Sequence, residues 1–91
     1  MESVRILPLG RIVATPEVLM TVSAGELIEA LTRHKTGDWG EICVEDWQIN
    51  DEALEKGFRI LSSYTSTKGV KFWIITEHDR SVTTVLLPDE Y

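Results

Sequence analysis

The groups best suited to chemistry in this chain crowd into Thr76-Glu77-His78-Asp79-Arg80-Ser81-Val82-Thr83-Thr84, between two runs of β-branched and apolar residues. Those runs, residues 70–77 and 82–87, read as strands, and the break between them reads as a hairpin turn. Side chains alternate across a strand, so Ser81 and Thr83 are expected to present hydroxyls on one face, with Arg80 at the entrance and Thr76 across from them. An arginine and hydroxyls converging at a sheet margin suit a phosphate or a developing oxyanion. Threonine also favours strands and an exposed sheet face needs polar groups, so the same pattern fits a plain solvated face.

His34 follows Leu31 by three positions and so continues or borders an apolar helical stripe. Its ordinary pKa near 6.5 would let it act as a general acid or base, although a lone histidine on such a stripe is more often a hydrogen-bonded boundary residue. His78, in the turn beside two charges, reads as exposed. Two histidines and one cysteine lie tens of residues apart, and the acids form no calcium-loop pattern. No metal and no cofactor is expected. Trp73 sits in a strand with apolar residues on both faces, which implies a central strand. Trp39, in a turn, is open to base stacking.

These groups need elements to position them. An N-terminal extended piece spans residues 5–14, interrupted by Pro8 and Gly10. Thr15-Pro16 starts a short helix with Val18, Leu19 and Val22 on one side. Ser23 and Glu26 have capping-box spacing and open a second helix, whose stripe is Ala24, Leu27, Ile28 and Leu31 and which ends near Lys35 before Gly37. Gly37-Asp38-Trp39-Gly40 reads as a turn. An acidic helix begins between Val44 and Asn50, buries Trp47, Ala53 and Leu54, and stops at Gly57. Residues 58–65, 70–77 and 82–87 then form a three-stranded antiparallel meander. The expected class is α+β, one domain over residues 1–91, with helices packed on one face of the sheet.

Charge is segregated along the chain. The net value is −6, and residues 37–57 hold seven acids against Lys56 alone, whereas the flanking segments each balance four acids with four bases. Such a segment repels phosphates, so duplex DNA is not expected as a partner. No apolar run is long enough to span a bilayer, Met1–Arg5 does not resemble a signal peptide, and Cys43 is alone; a cytoplasmic protein without a membrane association is expected.

Two resemblances can be drawn from the residues. Gly10-Arg11-Ile12-Val13-Ala14-Thr15-Pro16, Arg33-His34, Gly37-Asp38-Trp39-Gly40, Asn50, Ala53-Leu54, Gly57, Ser62, Tyr64, Trp73-Ile74-Ile75-Thr76-Glu77, Asp79-Arg80-Ser81, Thr83-Thr84, Leu86-Leu87-Pro88 and Tyr91 resemble a family of small plasmid-related proteins from bacterial mobile elements. That family lends no activity. Its occasional label as a restriction–modification subunit is not carried over, because 91 residues without a glycine-rich loop cannot supply a cofactor domain. The order of helices before a meander is also similar to the barnase–EndoU–colicin–RelE-like ribonucleases. That likeness implies metal-free RNA cleavage with His34 as base or acid, Arg80 stabilising the phosphate, and Ser81 and Thr83 bonding its oxygens. The acidic charge departs from it, since phosphate contacts dominate nucleic-acid affinity.

Two functions therefore stand side by side. A ribonuclease acting on RNA phosphates requires His34 and Arg80 to converge in a cleft. An acidic module or inhibitor, or a nucleic-acid mimic, docking a basic protein requires an exposed acidic helix instead.

Overall fold

The computed structural model describes residues 6–91, so the expectations for Met1–Arg5 lie outside the described residues. The chain runs β1 (Arg11–Ala14), α1 (Pro16–Thr21), α2 (Ala24–Lys35), α3 (Val44–Lys56), β2 (Ile60–Thr65), β3 (Lys71–Thr76) and β4 (Val82–Leu86), closing in a 3-10 turn at Pro88–Glu90. The helix ends follow local chemistry. The Thr15 side chain accepts from the Val18 amide and Ser23 from the Glu26 amide, and Gly57 leaves α3 in the left-handed region at φ 78°. Each supplies a partner or a backbone turn that a bare helix end lacks.

The class is α+β, and the meander β2-β3-β4 is antiparallel. The sheet, however, has four strands in the order β1-β4-β3-β2, because the N-terminal segment joins it parallel to β4. The expectation of three purely antiparallel strands is corrected accordingly. Gly10 permits the junction. At φ +62° it lies so close to the strand opposite that a Cβ there would overlap the carbonyls of Arg80 and Ser81, which brings the Arg11 amide within 3.0 Å of the Ser81 carbonyl.

One face of the sheet carries Tyr64, Phe72, Ile74 and Val85, packed against Val18 of α1, Val22 just after it, and Leu27 and Ala30 of α2. The stripe of α2 is rotated from the expected one: Leu27, Ala30 and His34 are buried, whereas Ile28 is 64% exposed and Ala24 also faces out. Leu19 of α1 likewise faces solvent. The third helix meets the same face only at its margin, where Ala53 joins Leu7, Trp39 and Ile60 in a second buried cluster. It runs along the outer edge of β2, where the Asn50 side-chain amide donates to the Leu61 carbonyl at 2.8 Å and residues 39–41 pair with Ser63. The sheet therefore has one covered edge, at β2. On the opposite face of the sheet, Trp73 meets the ring of Tyr91 edge-on at 5.8 Å.

Candidate functional site

Helix α2 delivers His34 into the core face of the sheet, where the ring is fully buried. Its Nδ1 lies 2.6 Å from Ser62 Oγ and its Nε2 lies 2.8 Å from Thr76 Oγ1. Thr76 and Thr83 are register partners on β3 and β4, with hydroxyls 2.8 Å apart, and Thr83 donates to the Leu9 carbonyl at 2.7 Å.

That terminal carbonyl fixes the direction of every proton in the chain. Thr83 has one hydroxyl proton and spends it on Leu9, so it accepts from Thr76. Thr76 has then spent its own proton and must accept from His34 Nε2–H. The imidazole is accordingly the Nε2–H tautomer, and Nδ1 accepts from Ser62. Burial, with a smaller contribution from the positive charge of Arg80, pushes the His34 pKa down to about 4, because a desolvated imidazolium is costly. Trp39 closes the pocket with its ring edge-on at 5.6 Å. A neutral imidazole with both nitrogens occupied and no exposed atom can order the core, but it has no path to a solute.

Arg80 lies elsewhere in function, although it follows the same hairpin. Its backbone is left-handed at φ 61°. The guanidinium donates to the carbonyls of Ala53 and Phe58 at 2.7 Å each and of Glu77 at 3.1 Å. It thus caps the C-terminal end of α3, joining the Gly57 and Phe58 amides on the Ala53 carbonyl, where the helix dipole favours a cation. Ser81 is exposed in the turn before β4 and donates to Asp79 Oδ1 at 2.6 Å. Ser81 and Thr83 therefore do not present hydroxyls side by side, and the turn closes on itself.

Of the four residues the sequence singled out, the structure joins His34 to Thr83 through Thr76 and leaves Arg80 and Ser81 in separate settings. Ser62 completes the buried set and was not anticipated as part of it. Its signal was present in β2, where Ile60, Ser62 and Tyr64 alternate toward the helices, so a polar residue on an inward row had to find a partner. Trp39 is also corrected. It is fully buried, with its indole N–H on Asp51 Oδ1 at 2.9 Å, and is closed to base stacking. Among the described residues no group of three or more histidine, cysteine or acidic side chains converges as a metal site would require.

Open volume lies instead at the surface, and one groove flanks β2. A groove of about 280 Å³ between α3 and β2 is lined by Ile42, Asp46, Ile49, Asn50, Arg59 and Leu61. Ile49 is 59% exposed. Arg59 leans on Glu77 and Tyr91. Glu45 and Asp46 are exposed and have no ion-pair partner among the described residues.

No helix among the described residues is long and apolar enough to cross a membrane. In comparisons with known proteins, no family model, no curated protein and no solved structure matches this chain.

Proposed function

We propose that this protein is a binding module that docks a basic protein segment through the groove between α3 and β2. The observation that carries the reading is an apolar floor of Ile42, Ile49 and Leu61 lined by the carboxylate of Asp46, with exposed Glu45 next to it in sequence and neither acid ion-paired among the described residues. Apolar side chains entering such a floor supply affinity, and the surrounding acids steer cationic residues and fix their register. The ribonuclease reading asks for a base and an arginine open to one phosphate. His34 is fully buried and Arg80 spends its guanidinium on backbone carbonyls, which favours the binding reading. The same acids give duplex DNA no foothold.

Calorimetric titration with a synthetic amphipathic lysine–leucine helix peptide tests this. Neutralising the rim with Glu45→Gln and Asp46→Asn should weaken binding roughly tenfold, and Asp89→Asn in the C-terminal turn should not. Ile49→Asp discriminates further, because it adds an acid but removes the floor. It should also weaken binding roughly tenfold, and tighter or unchanged binding would overturn the groove. Total RNA incubated with the protein should stay intact; cleavage that disappears in both His34→Ala and Arg80→Ala would replace this reading with the ribonuclease one.

A further inference from the structure

The two edges of the sheet are treated differently. At β2 the outward groups of Leu61 and Ser63 are taken by Asn50 and by residues 39–41. At β1 the Arg11 and Thr15 amides bond inward to β4, so in the parallel ladder residues 11, 13 and 15 face the sheet. The backbone N–H and C=O of Ile12 and Ala14 then point outward, with no partner among the described residues. An open edge of this kind is a template for another strand.

A second apolar groove of about 280 Å³ adjoins that edge, formed by Leu9, Ile12, Ile28 and Leu31 with Thr32 and Lys35 at its rim. Ile12 is 50% exposed and Ile28 64% exposed. Ile12 pairs with Thr83 in the register, so its side chain lies on the same sheet face as α2. The unpaired backbone and the exposed apolar groups are thus parts of one surface.

We infer that the occupant of this surface is a second copy of the chain, with the two β1 strands pairing antiparallel about a two-fold axis at Val13. Three features select that occupant. Centred on Val13, the outward groups of Ile12 meet those of Ala14 from the other copy, and the reverse, so each open backbone group of the strand is used. The side chains match in the same register: bulky Ile12 faces small Ala14 on the helix side, and Val13 faces Val13 in the close, non-hydrogen-bonded position on the other. Arg11 of one copy comes opposite the uncharged Thr15 of the other, so no like charges oppose each other along the paired residues.

Charge also selects this edge over the other. The chain carries −6, and two copies repel unless their acids stay apart. The acidic α3 lines β2, three strand spacings from β1, or roughly 14 Å. The two acidic helices therefore lie at opposite ends of the doubled sheet, separated by far more than the screening length of about 8 Å at physiological salt. The α3 grooves remain open at those ends.

Sedimentation equilibrium of the full chain, from micromolar to near-millimolar concentration, tests the proposal. A reductant is included so that exposed Cys43 cannot link copies. The mass should rise with concentration from 10.3 kDa toward twice that value. Ile12→Pro removes only an outward N–H, which an edge strand tolerates, and Ile28→Asp places a charge in the groove from an exposed helix position. Each should hold the protein at the monomer mass across the range, with far-ultraviolet circular dichroism and melting temperature unchanged. A wild type that stays monomeric at every concentration overturns the proposal. So does a dimer that persists in folded Ile12→Pro and Ile28→Asp proteins.

Discussion

His34 Nε2 and Thr76 Oγ1 lie 2.8 Å apart in the core, and the imidazole is the donor because the threonine proton is already committed to Thr83. A helix is joined through this bond to the central strands and, through Thr83, to the segment that precedes β1. Buried hydroxyls and imidazole satisfy each other completely, with no buried side-chain polar atom left unpartnered among the described residues.

This arrangement makes stability depend on pH in one window. The folded pKa of His34 is about 4, against 6.5 for a free histidine side chain. As pH falls through that interval the unfolded chain takes up a proton that the folded ring refuses. Stability is full above the unfolded pKa and declines toward the folded one, by a total on the order of 3 kcal/mol. Asp38, held low first by its hydrogen bond from Arg33, titrates below that window. Denaturant unfolding between about pH 7 and pH 4 should show the decline in the wild type and a nearly flat response in His34→Gln, whose amide can serve both neighbours without a charge. Equal slopes would contradict a buried neutral ring.

The threonines should prove more costly to lose than the serine beside them. Thr83→Val leaves the Thr76 proton without an acceptor and the Leu9 carbonyl without its donor, a loss of about 1–3 kcal/mol. Ser81→Ala, at an exposed turn position, should cost well under that. In a double-mutant cycle, Thr76→Val with Thr83→Val should cost less than the sum of the singles by roughly 1 kcal/mol, measured by urea unfolding.

Arg80 should behave as a helix cap with a geometric requirement. Its planar fork reaches the Ala53 and Phe58 carbonyls together, which a lysine point charge cannot do. Arg80→Ala should cost about 2 kcal/mol and Arg80→Lys should recover little of it. Recovery of most of the stability by lysine would show that charge, not the fork, is what matters.

Two glycines should give opposite signs. Gly40 has φ +76°, and a Cβ there would overlap the Ser63 carbonyl and press on the Tyr64 ring, so Gly40→Ala should destabilise by roughly 3 kcal/mol or more. Gly25, in the first turn of α2, has nothing near its missing Cβ, and Gly25→Ala should stabilise by about 0.5–1 kcal/mol. Thermal melts of the two variants read both signs directly.

Where each element starts and stops was largely legible in the chain. Thr15, Ser23 and Gly57 act on amides and carbonyls within a few residues of themselves, and the alternation of Phe72, Ile74 and Thr76 against Trp73 and Ile75 is a property of the strand alone. The meander accordingly lies within a residue or two of the expected spans. What the chain did not show is which side of each element meets which neighbour. A four-residue strand carries almost no pattern, so the pairing of Arg11–Ala14 with Val82–Val85, far away in sequence, emerges only when the sheet is assembled. The roll of α2 is similar. Its spacing permits either Ile28 or His34 on the inward row, and inward hydroxyls from Ser62 and Thr76 give the imidazole partners it would lack on a purely apolar face. Composition and spacing determined that this protein places a histidine on a helix, and hydroxyls and an arginine around its last hairpin, all capable of chemistry. The tertiary structure decided that the histidine and hydroxyls bind one another in a dry core and that the arginine closes a helix, because a buried polar group is held wherever its hydrogen bonds are met.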